Sequence, residues 1–154
     1  MKPSPKNWPR ISSSLYYQDA AQAIDWLCTA FGFAVRLKIE NDQGRIEHSE
    51  LEYGEGLIMV GDTSIAGKPG FRKSPRAVSG GNTQNMMVFV DDADAHCAHA
   101  REHGAKIVVE PHTDDYGDEY WSDRSYEAED PEGHHWWFCT RVKEGAKSSA
   151  RAGD

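Results

Sequence analysis

The sequence predicts an α+β protein: two βαβββ modules whose mixed sheets pair into a cup, with the helices on the outer face. Three observations predict it. A pattern of strand, capped helix, glycine and three strands occurs twice, and one shift of 72 residues carries Asp19 to Asp91, Ala21 to Ala93, Ala23 to Ala95 and Gly32 to Gly104. Apolar residues run with period two in short stretches and at helical spacing after each aspartate. The last strand pair is joined by Asp130-Pro131-Glu132-Gly133, in which Pro presets φ, Asp bonds its own backbone and Gly accepts positive φ. A four-stranded sheet with its helix on one face leaves the other face bare, and two bare faces brought together enclose a cavity.

The elements follow in order. Residues 1–9 hold three Pro and two Lys without periodicity and are expected to be a flexible arm. Residues 11–17 form a strand with Leu15 and Tyr17 on one face and Ser12, Ser14 and Tyr16 on the other. Asp19 caps a helix through Ala20, Ala23, Ile24, Leu27 and Phe31, which Gly32 closes. Strands over 34–39, 46–53 and 57–60 complete the first module, residues 10–62. A Gly-, Ser-, Pro- and Lys-rich linker covers 63–83. The second module, residues 84–142, has a strand over 84–90, a helix over 92–103 capped by Asp91 and closed by Gly104, then strands over 105–110, 124–129 and 134–142. Residues 111–123 read as a loop with room for a short strand, and 143–154 as a flexible tail.

Bulk properties narrow the function. The 154 residues suit one domain, and 38% hydrophobic content supports one core. No apolar run approaches the ~20 residues of a membrane span, and the first residues carry no signal-peptide h-region. Cys28, Cys97 and Cys139 are odd in number and lack metal spacing, which suggests buried free thiols in a cytoplasmic protein. A net charge of −8 argues against nucleic acid, whose phosphates need a basic face.

On these residues the chain resembles the vicinal oxygen chelate superfamily, which includes glyoxalase I, bleomycin-resistance proteins, fosfomycin-resistance proteins and extradiol dioxygenases. The resemblance is carried by DAAQAIDWLCTAFGF from Asp19, HSELEYGEGLIMVGD from His48, Val90-Asp91-Asp92, and DPEGHHWW from Asp130, and covers residues 10–142. Enzymes of that superfamily place a His or Glu metal ligand on the first, fourth, fifth and last strands. Here those positions fall on Ser12, Met59, Asn85 and Trp137. None is an imidazole or a carboxylate, so the resemblance implies a metal-free, cofactor-free member of the bleomycin-resistance branch, acting by sequestration. It also implies a homodimer.

Period-two counting fills the cup. His48 and Glu50 face it from the third strand with Ile46 and Glu52, Leu57 and Met59 from the fourth, Asn85, Met87 and Phe89 from the fifth, and His135, Trp137 and Cys139 from the last. Trp136 and Phe138 fall in the core. The candidate ligand-binding set is Ser12, Ser14, Tyr16, His48, Glu50, Met59, Asn85, Met87, Phe89, Trp121, His135 and Trp137. Met and aromatic surfaces suit a flat apolar guest. Nine carboxylates over residues 114–132, opposed within that stretch only by Arg124 and interleaved with Tyr116, Tyr120, Trp121 and Tyr126, would favour a cation. The expected function is binding of a small, flat, aromatic or cationic molecule. Two alternatives stay open: a lyase, isomerase or dioxygenase with a displaced metal site on His48, Glu50 and His135, and a closed cup used only for protein association. His96, His99 and His103 share one helix face and read as surface histidines.

Overall fold

A computed structural model describes residues 1–147; residues 148–154, in which most of the expected tail falls, lie outside the described residues. The chain divides into two compact units, Met1–Gly81 and Asn82 onward. Each is an α+β module of one four-stranded mixed sheet and one α-helix, and the first also has a 3-10 turn over Pro75–Val78. No helix is long and apolar enough to cross a membrane among the described residues.

In the first unit the sheet order is β1-β4-β3-β2, from β1 (Ser13–Tyr17), β2 (Ala34–Glu40), β3 (Ile46–Tyr53) and β4 (Gly56–Asp62). β1 runs parallel to β4, and the rest of the sheet is antiparallel. Helix α1 (Ala20–Trp26) begins where the Asp19 side chain accepts from Gln22 N, and continues as a π-helical turn over Leu27–Phe31. Leu15, Tyr17, Ile24, Leu27, Phe31 and Leu51 form the core beneath it. Asp62 ties three elements together: its Oδ1 accepts from Ala20 N at 3.1 Å, its Oδ2 from Ile46 N at 2.6 Å, and Arg45 pairs with it at 2.7 Å.

In the second unit the order is β5-β8-β7-β6, from β5 (Met86–Phe89), β6 (Lys106–Asp115), β7 (Ser122–Glu129) and β8 (His135–Lys143). Helix α2 (Ala93–Glu102) is capped by Asp92, whose side chain accepts from Ala95 N. This corrects the expectation that Asp91 caps it. Strand β6 extends five residues past residue 110 because 112–115 pair with 122–125 of β7. The Asp130 turn forms as expected. Asp130 Oδ1 accepts from Glu132 N and His134 N, both at 3.0 Å, and Oδ2 accepts from Trp136 Nε1 at 3.1 Å. Gly133 supplies the positive φ of 91°. Trp136 is wholly buried, and Tyr126 and Phe138 stack beside it.

The caps correct the repeat. Asp19 and Asp92 lie 73 residues apart, whereas Gly32 and Gly104 lie 72 apart. The first helical segment therefore holds one residue more than the second. The π turn takes up that residue, since a π turn is a one-residue insertion within a helix. Its closing bonds run from Phe33 N to Leu27 O and from Gly32 N to Cys28 O.

Candidate functional site

Each sheet has a face away from its helix, and the strand register fixes which side chains share it. On the first unit Ser14, Met59 and Glu50 stand in one row across β1, β4 and β3. Ser14 Oγ lies 4.0 Å from Met59 Sδ. Glu50 is 7% exposed and its two oxygens are held separately: Arg36 Nε donates to Oε2 at 2.8 Å, and His48 Nε2 contacts Oε1 at 3.0 Å. A carboxylate can only accept, so His48 carries its proton on Nε2. The His48 hydrogen bond and the Arg36 guanidinium hold the Glu50 carboxyl below the ordinary glutamate range, against a desolvation that would raise it.

Arg36 reaches Glu50 because β2 is irregular there. Val35 pairs with Leu51 and Leu37 with Glu50, so Arg36 is the extra residue of a bulge. A second bulge skips Glu47, and this moves Ile46, expected beside His48, into the fully buried set with Ser49 and Leu51. Arg36 also lies 4.8 Å from the Trp8 ring centroid and donates to Asn7 O at 2.6 Å. Tyr16 carries the Arg72 guanidinium over its ring at 4.9 Å. Ser12 precedes β1, and its buried Oγ has no hydrogen-bond partner among the described residues.

On the second unit Met87, Trp137 and Glu127 stand in one row across β5, β8 and β7. Phe89, Cys139 and Ser125 form the next row. Met87 is 44% and Phe89 52% exposed, while Trp137 is half-buried. The adjacent tryptophans thus take opposite faces, Trp136 in the core and Trp137 outside it. Glu127 has no hydrogen-bond or ion-pair partner among the described residues. Arg141 sits 5.1 Å from the Trp121 ring centroid and 5.6 Å from that of Phe89, and donates to Asp123 at 2.5 Å. Burial, with Asp123 beside it, pushes the Cys139 thiol up to about 12. His135 pairs with Glu129 at 3.1 Å. Asn85 precedes β5 and is exposed.

Sequence reading left out Arg36, Trp8 and Arg141, since bulges, an aperiodic arm and distant cations have no local signature. It also overstated the free acidity of residues 114–132. Lys143 pairs with Asp115 and Asp118, Lys147 with Glu119, Arg141 with Asp123 and Lys106 with Glu129. These cations arrive from β6, β8 and the segment after β8, outside the stretch first considered.

The two βαβββ units, each with one four-stranded mixed sheet, define the class of protein to which the chain belongs. A family model described as Glyoxalase/Bleomycin resistance protein/Dioxygenase superfamily matches residues 10–138, so this protein is a member of that superfamily. It is 29% identical over 136 residues to the uncharacterized protein Mb0911c of Mycobacterium bovis, covering 88% of this chain and 86% of that one. Among solved structures it resembles TioX from Micromonospora sp. ML1, at 28% identity and a TM-score of 0.64, covering 88% of this chain and all of that one. A superfamily member from Sphaerobacter thermophilus, at 17% identity and TM-score 0.64 over 84% of this chain and 94% of its own, shares the fold.

The superfamily's metal can be tested against this donor set. In the first unit Met59 stands between Ser14 and Glu50, and in the second Trp137 stands between Met87 and Glu127. Each row thus holds one carboxylate and no imidazole, short of the converging imidazole and carboxylate donors that a divalent ion takes. Substituting the flanking Ser12 and Asn85 adds neither donor type. At Glu50 the Arg36 guanidinium already holds one oxygen, and a second cation there would meet its charge.

Proposed function

We propose that this protein binds a small, flat, aromatic and cationic molecule without a catalytic metal, and acts by sequestering or carrying it. The observation that carries this reading is the row Met87, Trp137, Glu127. A polarizable thioether and an indole face offer stacking area, and an unpaired carboxylate beside them selects positive charge. Most of the other carboxylates on residues 114–132 have cation partners, so Glu127 gives the site its sign. On the same unit Phe89, in the next row, and Trp121 beside Arg141 would add aromatic surface for the guest. The protein is expected to work as a homodimer in the cytoplasm.

Calorimetric titration with proflavine, a planar cation, tests this reading. Saturable binding with a chelator present, lost in Trp137→Ala and weakened about tenfold in Glu127→Gln, is the expected result. Binding that requires added divalent metal would instead favour an enzyme using the His48–Glu50 pair. Light scattering on the purified protein checks the dimer.

A further inference from the structure

The first unit has a cavity that the proposed function does not use. It has a volume of about 510 Å³ and lies between the N-terminal arm and the β3–β4 hairpin, with Trp8, Pro9, Arg36, Glu52, Glu55 and Leu57 in its walls. That size is within the ~300–1,000 Å³ range of small-molecule sites. The arm is held in place: Trp8 N donates to Pro5 O at 3.0 Å, Arg36 Nη1 donates to Asn7 O, and the Arg36 guanidinium lies against the Trp8 ring. Apolar surface comes from Pro9, from half-buried Trp8 and from Leu57, 6% exposed on β4.

The charges in this wall are unequal in one respect. Arg36 is neutralised by Glu50. Glu52 and Glu55 have no hydrogen-bond or ion-pair partner among the described residues. Register places Glu52 opposite Leu57, and the turn between them carries Glu55. A guest here meets an indole, a proline, a leucine and two uncompensated carboxylates. We propose that this cavity is a second binding site, for a protonated amine or amidinium attached to a compact apolar body. The apolar part fills the space between Trp8 and Leu57, and the cation lies at Glu52 and Glu55. The proposal does not rest on the Trp137 row and stands or falls independently of it.

Benzylamine is the probe and benzyl alcohol its neutral counterpart, both titrated calorimetrically against the full chain. Benzylamine is expected to bind saturably at pH 7 and low salt, with benzyl alcohol at least about tenfold weaker. The double variant Glu52→Gln, Glu55→Gln should lose about tenfold in benzylamine affinity, and Trp8→Ala a similar amount, each with an unchanged far-UV spectrum. Glu52 and Glu55 are exposed, so the glutamines leave the fold intact. Equal binding of amine and alcohol, an unchanged affinity in the double variant, or no benzylamine binding would overturn the proposal. So would a loss of amine binding in Glu127→Gln with none in the double variant, which would place the amine on the second unit.

Discussion

The two modules share a backbone plan and differ at nearly every point where a side chain completes it. In the first, a carboxylate, Asp62, ties the helix N-terminus to the end of β4 and the start of β3. In the second, the same post is held by a hydroxyl: Thr140 Oγ1 accepts from Ala93 N at 2.9 Å and donates to Val90 O at 3.0 Å. The helix-free face of the first sheet carries a hydrogen-bonded cluster of Arg36, Glu50 and His48. That of the second carries Met87, Phe89 and Trp137. A βαβββ unit thus constrains its helix face tightly and its other face hardly at all, which is how one fold hosts many functions.

That contrast can be tested by substitution. The largest expected effect is at the turn peculiar to the second module. Asp130→Ala leaves the Trp136 indole N–H and two backbone N–H groups without their acceptor, at about 1–3 kcal/mol for each buried group. A loss of about 3 kcal/mol or more in chemical denaturation is expected, and a loss under about 1 kcal/mol would show the turn to be dispensable. Next comes Asp62→Ala against Thr140→Val. The first strands two backbone donors and removes the carboxylate facing Arg45, and should cost about 2–4 kcal/mol, the second about 1 kcal/mol. Equal costs would remove the asymmetry.

A smaller effect concerns acid. The Glu50 carboxyl titrates lower in the folded protein than in the unfolded chain. Its contribution is therefore complete above the ordinary glutamate value of about 4.3 and drains away as pH falls through the folded value. Glu50→Gln should lower the thermal midpoint at pH 7, and the gap to the unaltered protein should narrow as acid titrates Glu50 in the folded state. A gap that does not narrow as pH falls would assign the loss to packing. The smallest effect is on the thiols. Burial raises Cys28, Cys97 and Cys139, with Cys139 at about 12. Iodoacetamide at pH 8 should leave Cys139 unmodified until the protein is unfolded, and rapid native labelling would contradict its environment.

Much of the architecture was legible because its signals are local. Gly32 and Gly104 sit where helices must turn left-handed, Asp130-Pro131-Glu132-Gly133 encodes its own turn, and alternation sends Trp136 inward and Trp137 outward. What escaped depends on departures from regularity or on distance. The π turn after Trp26 shifts the repeat by one residue, so a count anchored on the glycines put the second cap on Asp91. The bulges at Arg36 and Glu47 break the period of two, which hid Arg36 and misplaced Ile46. The cations opposing residues 114–132 come from Lys106, Arg141, Lys143 and Lys147, and no window on the acidic stretch contains them. Trp8 belongs to an aperiodic segment that Arg36 holds through the Asn7 carbonyl and the Trp8 ring.

The central claim is that Trp137 meets a guest without the help of a metal while its neighbour Trp136 does not. Nitrogen-15 labelling of the indoles gives each tryptophan its own side-chain resonance, assigned by single substitution. On adding proflavine in the presence of EDTA, the Trp137 signal should shift progressively and saturate, and the Trp136 signal, bonded to Asp130 in the core, should stay in place. A Trp137 signal that stays fixed throughout, or that moves only after a divalent ion is supplied, would contradict the account.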